Sequence, residues 1–288
     1  MAAKIPAKVL DRIGSGISMF QRVLQNAHDR DVNESDTVTI VKDILAGVMG
    51  FDKYEEITSE YSIRGTYCDL ATKLDGAVRY LIEVKAIGLA LKENHLRQVV
   101  SYGASQGVPW VVLTNGIIWE VYRIKFEQPV THEFVFGINF LELSTRKPED
   151  IEKLFLLCRE GVQKSAIDDF HAFTQIVNRF TISAIVTSDP VLAVIRRELQ
   201  RLEPNSRVTA EDISAILPDV LKRDVTEGEE AVAAQKRVSK ATRIQLRKRA
   251  ERAAAGCSEE STSCDDQTTE CDCGRDESPT DLMPGEEN

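Results

Sequence analysis

The segment Tyr80-Leu-Ile-Glu-Val-Lys-Ala86 is apolar apart from Glu83 and Lys85. In an extended strand, residues two apart share a face, so this acid and this base project side by side. Burying them is costly unless each finds a partner. A second acid, Asp69, stands in the preceding segment Tyr67-Cys-Asp-Leu-Ala71. Two carboxylates that share a site repel, and one pKa rises unless a cation lies between them. Hard oxygen ligands of this kind suit Mg²⁺ or Mn²⁺. A lysine within reach adds a donor for negative charge developing on a phosphate.

Whether the acids meet depends on register. A two-residue loop at Asp75-Gly76 pairs Asp69 with Ile82 and turns the acid to the wrong face. A three-residue loop, Asp75-Gly76-Ala77, pairs it with Glu83. A shared site therefore requires an odd loop or a bulge in the ladder.

The next segment, Asn94-His-Leu-Arg-Gln-Val-Val-Ser-Tyr-Gly103, has an apolar helical stripe, while Gln98 and Tyr102, at i and i+4, project together from another face. Asp69, Glu83-x-Lys85 and Gln98-x-x-x-Tyr102, in that order, resemble the PD-(D/E)xK nuclease superfamily. Tyr67-Cys-Asp69, Ile82-Glu-Val-Lys-Ala86, Gln98-Val-Val-Ser-Tyr102 and Trp110-Val-Val-Leu-Thr-Asn-Gly116 more closely resemble the N-terminal nuclease domain of the restriction (R) subunit of type I restriction enzymes. The resemblance spans about residues 34–124. It implies a restriction-endonuclease-like fold, Mg²⁺ dependence and DNA cleavage.

By that resemblance Asp69 and Glu83 hold the metal, Lys85 positions the attacking water or stabilises the transition state, and Glu34 adds a helix acid to the metal shell. Gln98 and Tyr102 match the family's Q-x-x-x-Y helix and place the substrate or the active-site strand. Cys68 stands where the superfamily's name-giving proline would be. No helicase motor is expected to follow, so DNA translocation is not carried over. The chain is expected to act alone or beside a separate specificity or motor protein.

These residues need a scaffold. Apolar periodicity predicts a first helix over 7–30 and a second starting at the N-cap Asn33, with Glu34 in line with Val38, Val41 and Leu45. Strands are predicted at 54–63, 67–72 and 78–86, a helix at 94–105, and strands at 110–114 and 117–124. The last two flank Asn115-Gly116, the signature of a type I′ hairpin. Helices are predicted at 149–159, 165–180, 190–202 and 210–222, then one charged helix at 229–255.

The expected architecture is α/β, a mixed sheet flanked by helices with a helical C-terminal extension. Its parts are an N-terminal helix (1–30), a nuclease-like domain (31–145), a helical extension (146–222), a basic helix (223–255) and an acidic, Cys-containing tail (256–288) expected to be disordered.

The 288 residues carry a net charge of −10, but 11 of the 46 acids and only one base lie in residues 256–288. The rest is balanced, so nucleic acid stays open as a partner, and the basic residues of the late helix can grip phosphates. No signal peptide or membrane span is expected, and the cysteine usage suits a reducing cytoplasm. Cys257, Cys264, Cys271 and Cys273 lack a recognised zinc spacing. His95 reads as a solvated or capping residue, Trp110 and Trp119 as packing. The alternative to an enzyme is a non-catalytic nucleic-acid-binding or assembly module that retains the fold. Intact Asp69, Glu83 and Lys85 argue against it.

Overall fold

The computed structural model describes residues 5–63, 65–221 and 223–259. The chain folds as two units, residues 1–178 and 179–288.

The first unit is built on a six-stranded sheet in the order β1 (Ile57–Ile63), β2 (Thr66–Leu74), β3 (Ala77–Val84), β4 (Trp110–Thr114), β5 (Ile118–Lys125), β6 (Thr131–Asn139). Every neighbouring pair is antiparallel except β3 and β4, which are parallel and joined through α3 (Glu93–Gln106). A parallel pair needs such a crossover, and it is this crossover that carries Gln98 and Tyr102. The α/β class and the mixed, helix-flanked sheet agree with the expectation. β6 was not anticipated.

Strand alternation divides the core. One face presents Leu70, Tyr80, Ile82, Val84 and Val112 to α1 (Ala7–Asp29), α2 (Glu34–Gly47) and α4 (Pro148–Leu157). The other presents Ala71, Leu81, Val111 and Leu113 to Leu96, Val99 and Val100 of α3. Gly103 makes this second contact close: a Cβ there would lie 2.4 Å from Ile124 Cδ1 and 2.9 Å from Val111 Cγ1. Helices α5 (Arg159–Gln163) and α6 (Ala166–Ile176), beyond the expected domain limit at 145, also belong to this unit. Ala166 and Ile167 of α6 are buried in its larger core.

Two turns differ from their sequence reading. Asp75 (φ 52°) and Gly76 (φ 77°) both lie in the left-handed region, so Asp-Gly forms the two-residue type I′ turn. At Asn115-Gly116 only Gly116 is left-handed (φ 85°), and Thr114 pairs with Trp119, two residues beyond the register of a two-residue turn. The expected type I′ hairpin does not form there because the Asn115 carboxamide has other partners. Its oxygen accepts from Ile117 N (3.1 Å) and Ile118 N (2.8 Å), and its nitrogen donates to Ile87 O (3.2 Å) and Leu89 O (3.0 Å). A slip of two residues preserves which face each side chain occupies.

The second unit is helical among its described residues: α7 (Arg179–Val186), α8 (Asp189–Leu202), α9 (Ala210–Val220), α10 (Arg223–Thr226) and α11 (Glu229–Glu259). The stretch predicted as one helix at 165–180 is divided between α6 and α7. Thr209 starts α9 with a capping box, its hydroxyl accepting from Asp212 N while the Asp212 carboxylate accepts from Thr209 N. α11 continues to Glu259, four residues past its predicted end at Ala255. The remainder of the expected tail lies outside the described residues. Among those residues no helix is long and apolar enough to cross a membrane.

Candidate active site

Register brings the two acids together through a bulge. After the two-residue turn, Leu74 pairs with Ala77 and Lys73 with Val78. Arg79 then adds an extra residue on β3, so that Thr72 pairs with Tyr80 and Leu70 with Ile82. Continued by one residue, this register sets Asp69 opposite Glu83 on the α3 face. The turn is even and the bulge supplies the odd residue, one of the two solutions that a shared site allowed.

Here the ladder gives way to side-chain bonds. The Asp69 carboxylate accepts from Val84 N at 2.7 Å, and Lys85 N donates to Thr114 O of β4 at 2.8 Å, which fixes the strand end carrying the lysine. Asn115 steadies the segment just beyond through Ile87 and Leu89. Cys68 is buried and donates its thiol to Ile82 O (3.2 Å). Burial first, then the charges of Glu83 and Asp69, push its pKa up to about 12. It is an inert strut.

Glu83 is 1% exposed and Lys85 is buried beside it. Lys85 Nζ donates to Glu83 Oε1 at 2.7 Å and lies 3.6 Å from Glu34 Oε2. Glu83 Oε2, also buried, has no hydrogen-bond partner among the described residues. Burial, then Asp69, raises the Glu83 pKa to about 7 against the opposing pull of Lys85. Asp69 is raised too, by burial above all, with the Val84 amide and Lys85 opposing and Glu34 and Glu60 adding to the rise. For Lys85, burial disfavours the ammonium. The bond to Glu83 and the surrounding carboxylates outweigh it and hold the pKa above its ordinary value.

Glu34 reaches the site from the first residue of α2, where Asn33 caps the helix by accepting from Asp36 N at 2.9 Å. Gln98 and Tyr102 project together as expected, the Gln98 amide donating to the Tyr102 hydroxyl at 3.1 Å. His95 caps α3, its Nδ1 accepting from Lys92 N at 3.4 Å. Burial and then Lys85 and Lys92 lower its pKa, with Glu34 opposing. Trp110 and Trp119 are buried packing residues.

Among the described residues, no three His, Cys, Asp or Glu side chains gather closely enough to form a metal cluster. Asp69 and Glu83 nevertheless fit a hard cation. Mg²⁺ is commonly held by one or two carboxylates with water and substrate phosphate, and Glu83 Oε2 is a buried oxygen with its acceptor capacity open.

Sequence reading missed Glu60. It lies opposite Asp69 in the β1–β2 register, between the pairs Ser59–Leu70 and Tyr61–Cys68, and its φ of 49° is left-handed inside a strand. Such a conformation costs about 1–3 kcal/mol in a non-glycine residue and concentrates at functional sites. No residue type or spacing announces it.

Residues 47–138 match the family model for the N terminus of the type I restriction enzyme R protein. The match encloses β1–β5 and α3, and with them Asp69, Glu83, Lys85, Gln98 and Tyr102, while Glu34 lies before it. No curated protein and no solved structure matches the chain. The resemblance carried by the motifs holds over this segment, and a restriction-nuclease-like domain lies within the first unit.

Proposed function

We propose that the chain is a metal-dependent deoxyribonuclease that hydrolyses DNA phosphodiester bonds at Asp69, Glu83 and Lys85. The observation that carries this reading is the buried Glu83 carboxylate, one oxygen held by Lys85 and the other without a partner among the described residues, in register with Asp69. That arrangement is unstable by itself and suits a divalent cation. Asp69 and Glu83 would hold Mg²⁺ or Mn²⁺, with Glu34 supplementing the shell. When bound, the ion supplies Lewis-acid polarisation of the phosphate and a lowered pKa for its water.

The chain's own groups do the rest. Val84 N orients Asp69, and with Lys85 it opposes the rise that burial gives the Asp69 pKa. Lys85, whose proton is strongly held, presents a cation where charge develops on phosphate oxygens. Gln98 and Tyr102 position the substrate from the crossover helix. DNA as substrate is supported by the matched family's description as a restriction enzyme component. A separate specificity or motor protein is the partner this reading implies.

The test is incubation of the full chain with circular and linear DNA in Mg²⁺, Mn²⁺ or EDTA. Metal-dependent loss of the supercoiled form, absent in Asp69→Asn, is the expected result. Equal traces for wild type and Asp69→Asn in every metal would overturn the assignment.

A further inference from the structure

The second unit carries a charged surface that the nuclease site does not use. Between Ala231 and Ala250, α11 holds seven Lys and Arg residues and no acid. Lys236, Lys240, Arg243 and Arg247 recur at i, i+4, i+7 and i+11. At 3.6 residues per turn they fall within an arc of about 60° and along about 16 Å of helix. All four are exposed.

The opposite side of α11 holds the packing. Ala231 and Ala234 are buried and Val238 and Thr242 half-buried, and α11 packs on α7. The cations therefore do not balance charge within a core. Lys236, Lys240 and Arg243 make no ion pair among the described residues. Arg243 shares a groove with Asp189, and Arg247 pairs with Glu251 of its own helix at 2.7 Å while its side chain stays 82% exposed.

We propose that this stripe is a second DNA-binding surface that grips the phosphate backbone independently of sequence. DNA as the partner rests on the proposed function; the stripe itself rests on the geometry of α11. Charge complementarity selects the occupant. Cations in successive turns face a polyanion carrying about one charge per 1.7 Å of duplex axis, and a row of them binds through counterion release. The surface would hold DNA to the enzyme whatever site the nuclease domain meets.

The test is binding of a labelled duplex to the full chain in EDTA, where cleavage cannot contribute, by fluorescence anisotropy between about 50 and 200 mM salt. The variant Lys236→Gln/Lys240→Gln/Arg243→Gln/Arg247→Gln should weaken binding at least about tenfold and reduce the slope of log affinity against log salt by about 3. Lys236→Arg/Lys240→Arg, which keeps the charge, should bind as wild type does. Lys8→Gln/Arg22→Gln/Arg146→Gln/Lys147→Gln, equal in charge removed and exposed in the first unit, should leave most of the slope. Equal slopes for the α11 variant and wild type would overturn the proposal. So would a stripe engaged by the chain's own acidic residues 260–288, in which case the α11 variant would differ from its parent only in chains ended at Glu259. Because binding is read in EDTA, apart from cleavage, an inactive nuclease site and an unused stripe give different results.

Discussion

Glu160 and Glu83 each face a basic side chain, yet their surroundings set them on opposite sides of the ordinary carboxylate pKa. Arg12 grips both oxygens of Glu160, at 2.8 and 2.6 Å, and also donates to Val48 O and Met49 O. That bond, above all else, holds the Glu160 carboxyl below its usual range. Lys85 holds Glu83 just as closely, at 2.7 Å, but takes one oxygen only, and burial together with Asp69 raises the pKa to about 7. A nearby cation is therefore not enough to make a structural ion pair. The first pair is closed on itself and ties α1 to α5. The second is left with an excess of carboxylate and an open oxygen, as a site that waits for a cation would be.

The largest difference between the two pairs should appear in activity. Asp69→Asn, Glu83→Gln and Lys85→Ala should each lower initial cleavage rates by about 100-fold or more, because metal and charge stabilisation act together. Arg12→Ala, assayed below its melting point, should stay within about tenfold, or 1.4 kcal/mol, of wild type. Comparable losses in both sets would erase the distinction.

Stability should separate them next, and with opposite sign. Folded Glu83 binds its proton more tightly than the unfolded chain does. Stability without metal should therefore fall as pH rises from the unfolded value near 4.5 through about 7, by up to about 3 kcal/mol. Glu83→Gln should flatten that part of the curve and raise the melting point at pH 8. Glu160, whose pKa is lowered, contributes stability that is present above its unfolded pKa and lost as pH falls. Arg12→Ala should cost about 1–2 kcal/mol at neutral pH, discounted because both side chains are 27% exposed. Chemical denaturation across pH reads both effects. The smallest change is expected for Glu34→Gln, a few-fold loss of rate, since its half-exposed carboxylate stands at the rim of the site, 3.6 Å from Lys85 Nζ.

Side-chain placement at the candidate site was more legible in the sequence than the turns that build it. The pairing of Glu83 with Lys85 and of Gln98 with Tyr102 follows from strand and helix periodicity, which the apolar core on both faces enforces, whereas the roles proposed for them come from the family resemblance. A shared site required either an odd loop or a bulge, and nothing local marks that a bulge falls at Arg79. Asn-Gly and Asp-Gly look alike as hairpin signals, and tertiary partners decide between them: Asn115 is occupied by Ile87 and Leu89, whereas Asp75 is free to turn. β6 escaped notice because it is an edge strand whose alternation is broken. Val135 has no pairing partner opposite β5, Phe134 is exposed, and Gly137 interrupts the pattern. Glu60 was invisible because a left-handed φ leaves no trace in residue type.

The central claim, that Asp69 and Glu83 form a cation site, is tested most directly by metal-dependent melting of the first unit. Trp110 and Trp119 are the chain's two tryptophans and both lie in that unit, so their fluorescence follows its unfolding. Mg²⁺ or Mn²⁺ at 100 times its dissociation constant should stabilise wild type by about 2.7 kcal/mol and raise the midpoint by about 5–10 °C. Asp69→Asn should melt slightly higher than wild type without metal and show no response to it. Wild-type midpoints that stay fixed through millimolar Mg²⁺ and Mn²⁺, with Asp69→Asn melting at the same temperature, would contradict the account.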